Sequence, residues 1–210
     1  MIHQRTKDVY FLAVRLASRP LGLARRMRYL LDRKRLRIHL GCGHNYLQGF
    51  VNADGNLGVR RDVWLDLRNP LPFPTASASL VYSSHALEHL YPDEALSLLR
   101  EIHRILVAGG VARIAVPSME HAFEIAAGRA ASVFPREFSD PLGQAANWLF
   151  CDGQHKYAYS FGSLKEFAIA AGFRSVANVS PFAGFPASRH YEGYELGAEP
   201  EGSLVVELTR

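Results

Sequence analysis

Two glycines and two carboxylates follow three short apolar segments in the first third of the chain. Gly41 and Gly43 come directly after the segment that ends at Leu40. Asp54 and Asp66 close the next two segments. Glycine permits a tight turn and lets a ligand approach bare backbone, and a carboxylate such as Asp54 can bind a ribose diol through charge-assisted hydrogen bonds. Because open α/β sheets bind ligands at the carboxyl ends of their strands, this spacing predicts a nucleotide-type or nucleoside-type site.

Histidine is the second chemical signal in the sequence. His85 follows Ser84 at the end of a fourth apolar segment, and His155 lies three residues after Asp152. Imidazole is the side chain used most often as a general base near neutral pH, and a neighbouring carboxylate can fix its tautomer. His155 and His85 are therefore the candidate proton acceptors, with Asp152 as the group that orients His155.

The segment from His85 to His89 also supports a competing interpretation. His85, Glu88 and His89 match the H-x-x-E-H pattern of inverted zinc peptidases, in which the histidines bind zinc and the glutamate is the base. That chemistry requires a longer helix and a third ligand, and it leaves Gly41 and Asp54 without a role. We therefore expect no metal site here.

The order of the elements predicts how these residues come together. The sequence predicts strands over residues 37–40, 50–54, 62–66, 80–84, 111–116, 173–180 and 203–208. It predicts helices from Pro92 to Leu106, ended by Gly109 and Gly110, from His121 to Ala131, and from Ser163 to a stop at Gly172. Alternation of strand and crossover indicates a doubly wound, mostly parallel sheet with an antiparallel last strand. Residues 119–160 are expected to form a partly loop-rich insertion over the site.

Charge and length define the remaining organisation. Residues 1–37 hold 11 Lys/Arg against two acids, a net charge of +9, whereas the rest of the 210-residue chain carries −5. Two basic helices separated near Pro20 are expected in an arm over residues 1–35, packed on a core over residues 36–210. Contact of the arm with an anionic membrane surface is the alternative, and the acidic body argues against nucleic acid.

Two distant cysteines favour a reducing, cytoplasmic compartment, and a homodimer is possible.

Five motifs in order resemble the class I S-adenosylmethionine-dependent methyltransferases over residues 36–117. They are Leu40-Gly41-Cys42-Gly43, Val51-Asn52-Ala53-Asp54, Leu65-Asp66-Leu67 with Leu71-Pro72-Phe73, Ser84-His85-Ala86-Leu87-Glu88-His89-Leu90, and Leu106-Val107-Ala108-Gly109-Gly110. The resemblance implies a Rossmann-like fold and S-adenosyl-L-methionine as cofactor. It places the turn from Leu40 to Gly43 beside the methionine moiety, Asp54 on the ribose, Asp66 and Leu67 beside the adenine, and Ser84 and His85 beside the methyl group.

The chain departs from that family in one connection. Only six residues, 44–49, separate the glycine turn from the second strand, whereas a parallel crossover takes about a dozen or more. The abbreviation resembles small bacterial methyltransferases associated with glycan and cell-envelope polysaccharide synthesis, with the basic helices in place of the first crossover helix. It implies O-methylation of a sugar, glycan or glycolipid. The candidate acceptor-binding residues are Lys156, Tyr157, Ser188, Arg189 and His190. A different small-molecule acceptor, and a domain that binds the cofactor without catalysis, are the alternatives.

Overall fold

The computed structural model describes residues 4–30, 35–132, 138–180 and 199–210. The helices are α1 (Gln4–Leu30), α2 (Pro92–Ile105), α3 (Met119–Ala126), α4 (Pro141–Phe150) and α5 (Phe161–Ala171), with a short 3-10 helix at Leu87–His89. The strands are β1 (Leu36–Leu40), β2 (Val51–Asp54), β3 (Val63–Trp64), β4 (Ala78–Ser84), β5 (Leu106–Pro117), β6 (Ser175–Val179) and β7 (Ser203–Thr209).

These strands form one sheet in the order β3-β2-β1-β4-β5-β7-β6. The first five strands are parallel to one another, and β7 is antiparallel to both β5 and β6. The prediction of a doubly wound, mostly parallel sheet with an antiparallel last strand is confirmed. In the register of the sheet, Leu40 pairs with Ala53 on one side and Ser83 on the other. Strands β1, β2 and β4 therefore end level with each other, which brings the residues after them to one edge.

Helix α2 shows how the sequence builds the main core. Pro92 occupies its first turn and Glu94 accepts a hydrogen bond from the backbone of Tyr91, which closes a capping box. Its buried positions lie on one face, against α5 and the sheet. The helix ends at Ile105 and not at the glycine pair, because Leu106 already adopts an extended conformation and starts β5. The predicted stop at Gly109 and Gly110 was wrong; these residues lie within β5, where its pairing with β4 shifts register.

The opposite face of the sheet has a smaller apolar cluster. Phe50, Leu80 and Tyr82 form it, and the buried polar residues His39 and Asn52 lie among the strands beside them. The connection from β1 to β2 contains no helix, as its six-residue length requires.

Helix α1 continues through Pro20 as one element, so the expected break between two basic helices was wrong. A proline inside a helix removes one hydrogen bond and causes a local kink, and it does not always end the helix. Val14 and Ser18 are buried. The described contacts of α1 include Gly55 and Asn69, which follow β2 and β3. Its side chains also reach Glu94 in α2 and Gln154 in the loop after α4.

The segment between β5 and α5 is more helical than the sequence predicted. The region around Pro141 and Gly143 was expected to be loop, yet it forms α4, with Asp140 as the N-cap and Pro141 in the first turn. Helix α5 and its stop at Gly172, in the left-handed conformation, are confirmed. Within the described ranges, no helix has the length and apolar character needed to cross a membrane.

Candidate active site

The glycine turn after β1 has a steric reason for its first glycine. Gly41 and Gly43 both have positive φ angles, 66° and 49°, a conformation that glycine adopts without strain. A Cβ atom at Gly41 would lie 2.6 Å from the Cβ of Ala86, whereas a Cβ at Gly43 would meet nothing within 4 Å. Ala86 follows His85, so the close approach joins the turn to the end of β4. Packing against Ala86 therefore accounts for the first glycine, whereas the space beside Gly43 is open.

The carboxylate at the end of β2 holds this turn. Asp54 accepts a hydrogen bond from the Gly43 N–H at 2.8 Å and another from the Asn56 N–H at 2.6 Å. A carboxylate has about four lone-pair sites, so two remain for a diol. Cys42 lies inside the turn and is buried, and burial with the nearby Asp54 charge raises the pKa of its thiol to about 11. Cys42 is therefore a neutral packing residue and not a nucleophile.

Asp66, at the end of the third segment, is engaged by a neighbour. Arg68 donates to both carboxylate oxygens, from Nε at 2.9 Å and from Nη2 at 2.6 Å. The same Nη2 donates to the backbone carbonyl of Phe11 in α1. Such a bidentate pair occupies the outer edge of the carboxylate. Asp66 thus fastens α1 to the sheet edge, whereas Leu67 reaches toward the glycine turn, 3.7 Å from the position of a Cβ at Gly41.

The end of β4 is tied to a residue that sequence reasoning missed. Glu199 is buried and accepts hydrogen bonds from the Tyr82 hydroxyl at 2.5 Å and the Ser84 hydroxyl at 2.7 Å. His85 has a positive φ of 50°, and its Nε2 lies 2.9 Å from the Ser203 hydroxyl. Glu199 and Ser203 both lie in the segment at and just before β7. No local pattern in the sequence marks Glu199, because its partners are more than a hundred positions earlier in the chain.

A cavity of about 380 Å³ opens next to His85. Its lining consists of His85, Glu88, His89, Trp148, Cys151, Gln154, His155 and Pro200. The backbone carbonyl of Glu88 accepts hydrogen bonds from the N–H groups of Lys156 and Tyr157. That pairing brings the loop after α4, which carries His155, against the short 3-10 helix. The cavity therefore lies between the end of β4 and the insertion, where the sequence predicted a cover over the site.

Three imidazoles surround the Glu88 carboxylate. Glu88 is 1% exposed, and its Oε1 lies 3.5 Å from His85 Nδ1, 3.9 Å from His89 Nε2 and 4.0 Å from His155 Nε2. Burial acts to lower the pKa of His85, but hydrogen bonding to Glu88 and its charge, together with the Glu199 charge, raise that pKa overall. Burial lowers the pKa of His155, and the Glu88 charge offsets this only in part.

The orienting partner predicted for His155 was wrong. His155 Nδ1 lies 3.0 Å from the backbone carbonyl of Leu149, so it carries the proton and donates to that oxygen. Asp152 is exposed, and its backbone N–H donates to the Asn147 side chain. The tight left-handed turn at Cys151 and Asp152, with φ angles of 44° and 53°, directs Asp152 away from the cavity. A carbonyl and a buried glutamate thus take the place of the predicted aspartate.

Two of the predicted acceptor-binding residues are described, and neither lines the cavity. Tyr157 packs against Tyr159 and Phe167 in the core, with ring centroids 5.0 Å and 5.8 Å away. The Lys156 ammonium lies 6.0 Å from the Tyr91 ring centroid and donates to the Gly153 carbonyl. The other three, Ser188, Arg189 and His190, lie outside the described residues.

The zinc-peptidase pattern does not form the helix that it requires. Leu87–His89 is a single 3-10 turn, so His85 and His89 do not lie one above the other as they would at i and i+4 of an α-helix. His85 instead contacts Ser203, and His89 faces His155, with ring centroids 5.1 Å apart. The peptidase interpretation loses its structural basis.

Comparison with known proteins gives one domain match and a set of solved structures with a similar fold. The family described as "Methyltransferase domain" matches residues 39–114, from β1 into β5. A SAM dependent methyltransferase from Archaeoglobus fulgidus is 18% identical, and the match covers 92% of this chain and 95% of that one with a TM-score of 0.57. An S-adenosylmethionine dependent methyltransferase from Mesorhizobium loti is 22% identical, with 88% and 95% covered and a TM-score of 0.51. No curated protein matches the chain.

The domain match and the fold support an S-adenosylmethionine-dependent methyltransferase. S-adenosylmethionine is its cofactor. The open backbone at Gly43 and the remaining acceptor sites of Asp54 fit that molecule, whose methionine moiety needs close backbone approach and whose ribose presents a diol.

Proposed function

We propose that the protein methylates a hydroxyl oxygen of a sugar, glycan or glycolipid acceptor that binds in the cavity beside Glu88. The main observation in support of this proposal is the set of three imidazoles around one cavity at the carboxyl end of β4. A hydroxyl is a poor nucleophile while it is protonated, and imidazole is the usual proton acceptor. When bound, S-adenosylmethionine supplies an electrophilic methyl group, so the chain itself has to align and deprotonate the acceptor.

The residues proposed to hold the cofactor are those of the turn and the strand ends. The backbone from Leu40 to Gly43 would lie along the methionine moiety, and Asp54 would accept from the ribose hydroxyls. Leu67 would pack beside the adenine, and Ser84 and His85 beside the methyl group. The Asp66 carboxylate is held by Arg68, and its backbone N–H and carbonyl are engaged by Ser18 and Asn69. We therefore assign Asp66 to positioning α1 and leave Leu67 as the contact for the adenine.

The cavity supports an acceptor of limited size. Its volume of about 380 Å³ is at the lower end of the ~300–1,000 Å³ typical of small-molecule sites. It holds one sugar-sized unit, either free or at the end of a longer chain. Glu88 also makes an amine a competing acceptor, because a buried carboxylate can bind an ammonium group. An amine acceptor is therefore the outcome that an experiment must distinguish from a hydroxyl acceptor.

The proton acceptor is assigned to a histidine of this cluster. His155 Nε2 is the atom that faces Glu88 and the cavity, since Nδ1 is held by the Leu149 carbonyl. His85 Nε2 is held by Ser203, which leaves its Nδ1 on the Glu88 side. Of these two histidines, His155 therefore has the nitrogen that is better placed to accept the proton.

The test is methyl transfer from isotope-labelled S-adenosylmethionine to paired acceptors, each a sugar and its amino-sugar analogue, with the methylated atom located by NMR. We expect label on oxygen of the hydroxyl compounds. Methylation only of the amino analogues, at nitrogen, would replace the proposal with amine methylation. No transfer to any acceptor, with normal cofactor binding, would favour a domain that binds the cofactor without catalysis.

Histidine variants then test the base. His155→Ala should lower turnover by ~10²–10⁴ and leave cofactor affinity within a few-fold, as expected for loss of a general base. His103→Gln is the matched control, because His103 is on α2 against Phe173 and lies outside the cavity lining. Near-normal turnover in His155→Ala with an inactive His85→Ala would move the base to the end of β4.

A further inference from the structure

The Glu88 carboxylate is buried without a direct hydrogen bond. Among the described residues, neither Oε1 nor Oε2 has a hydrogen-bond partner, although the side chain is only 2% exposed. An isolated carboxylate in such a place carries a penalty of several kcal/mol unless a cation or a proton compensates it. His85 Nδ1, 3.5 Å from Oε1, is one compensating group, and the position of the carboxylate in the wall of the cavity leaves it within reach of a bound cation as well.

The tautomers of His89 and His155 also favour a bound cation next to Glu88. His155 Nδ1 donates to the Leu149 carbonyl at 3.0 Å, and His89 Nδ1 donates to the Gln154 carbonyl at 3.2 Å. In the neutral rings, each Nε2 therefore presents a lone pair. Both Nε2 atoms face Glu88 Oε1, at 3.9 Å and 4.0 Å, distances too long for a hydrogen bond. The Nε2 lone pairs of the two histidines and the carboxylate of Glu88 are therefore directed toward the same small region.

This arrangement is the one that protein metal sites use. A histidine ligand commonly donates its second ring N–H to a backbone carbonyl or a carboxylate, which fixes its orientation. The ligand atoms of Glu88, His89 and His155 all lie within 4.8 Å of one another. Zinc bound at about 2.0–2.1 Å in tetrahedral geometry separates its ligand atoms by about 3.3 Å. The separations of 3.9 Å and 4.0 Å from Glu88 Oε1 would have to shorten by roughly 0.6 Å, and a pair at the 4.8 Å limit by about 1.5 Å. His89, at 43% side-chain exposure, has the most room to move.

We propose that Glu88, His89 and His155 bind one divalent transition-metal ion, such as zinc. Two imidazoles and a carboxylate suit zinc, cobalt or iron(II) better than magnesium or calcium, which prefer oxygen ligands. Three protein ligands leave an open coordination position, as in catalytic zinc sites, and that position faces the cavity. This arrangement differs from the peptidase pattern, since His155 from the insertion replaces His85 as a ligand. It also reverses the expectation from sequence that no metal site is present.

The ion would change the division of labour proposed above. An acceptor hydroxyl at the open position would become more acidic, and His85 would then receive its proton, because His155 Nε2 is a ligand. That role rests on the proposed oxygen acceptor. Ion binding itself does not depend on the identity of the acceptor, so it is tested by measurements that involve no methyl transfer.

The test titrates the purified full-length chain, freed of any tag, with cobalt(II) and zinc. We expect one ion per chain by elemental analysis, a visible cobalt spectrum of a nitrogen- and oxygen-ligated site, and displacement of cobalt by zinc. Magnesium should produce no saturable change. Absence of stoichiometric cobalt and zinc binding, or saturation by magnesium alone, would overturn the assignment.

Three variants locate the ion. Glu88→Gln, His89→Gln and His155→Gln should each weaken cobalt binding by about tenfold or more, a loss of the size seen when metal-site residues are changed. His103→Gln should bind as the wild type does. His89→Gln is the decisive variant, because His89 is partly exposed and its replacement should leave the fold intact, which circular dichroism checks. Unchanged affinity in a folded His89→Gln protein would show that the ion, if bound, lies elsewhere and that the proposal is wrong.

Discussion

Gly43 and Asp54 are joined by a hydrogen bond of 2.8 Å from the backbone N–H to the carboxylate. The residue that the sequence marks for a ribose therefore also fixes the turn that the sequence marks for the methionine moiety. Asp54→Ala removes both functions together. We expect its affinity for S-adenosylhomocysteine to fall by about tenfold or more, since hydrogen bonds to a charged group are worth ~1.5–3 kcal/mol. Calorimetry gives the affinity directly.

Asp62→Asn is the control for that measurement. Asp62 accepts hydrogen bonds from the Asn52 N–H and the Tyr46 hydroxyl, so it is a second carboxylate with structural partners in the same region. Its replacement should lower stability and retain cofactor affinity within a few-fold. Equal losses of affinity in both variants would mean that Asp54 acts only through the fold.

The two glycines of the turn should differ sharply in their tolerance of alanine. Gly41→Ala meets Ala86 at 2.6 Å, while Gly43→Ala meets nothing within 4 Å. Both carry the ~1–2 kcal/mol cost of a side chain in the left-handed region, but only Gly41→Ala adds a clash. Denaturant unfolding should show Gly41→Ala as clearly the less stable of the two. Addition of Ala86→Gly should restore much of the difference, and failure of this rescue would locate the strain in the backbone alone.

His39 should make the protein sensitive to acid. It is 1% exposed, and burial lowers its pKa from 6.5 to about 4, with partial offset from the Asn52 hydrogen bond and the Asp54 charge. The unfolded chain binds the proton at the higher pH, so stability falls as pH drops from 6.5 toward 4. The full loss is about 3 kcal/mol at 1.36 kcal/mol per pKa unit. In His39→Gln the slope of unfolding free energy between pH 6.5 and 5 should decrease, while His44→Gln, at an exposed site, should retain the wild-type slope.

Removal of the basic arm should damage the fold. Val14 and Ser18 are buried, and Arg68 and Asn69 donate hydrogen bonds to backbone carbonyls of α1. Deletion of residues 1–33 exposes the surfaces that they cover, and we expect insoluble protein or a clearly lowered Tm. A truncated protein that keeps its Tm and loses only salt-sensitive binding to anionic vesicles would identify the arm as a membrane-surface element.

Local patterns predicted most of the sheet and failed where distant segments decide the structure. The strand ends at Leu40, Asp54 and Ser84 follow from apolar runs that stop at glycine or polar residues, and a level register then brings them to one edge. Helix α1 continues across Pro20, and its part before that residue is held by tertiary contacts of Phe11, Arg15 and Ser18, which propensity does not include. Glu199 was missed for the same reason, since its partners Tyr82 and Ser84 are brought close only by folding. The partner of His155 was misassigned for a local reason: the left-handed turn at Cys151 and Asp152 places the Leu149 carbonyl, not Asp152, beside its Nδ1.

The position of β7 between β5 and β6 has a consequence for synthesis of the protein. Strand β5 is complete at Pro117, but its partner on that side begins only at Ser203. At ~5–20 residues per second on the ribosome, the interval is on the order of ten seconds. During that time the nascent sheet presents an unpaired, largely apolar edge, which is a template for aggregation. Soluble yield should therefore depend on chaperones that bind nascent chains, more than for a sheet that adds its final strand at the outside.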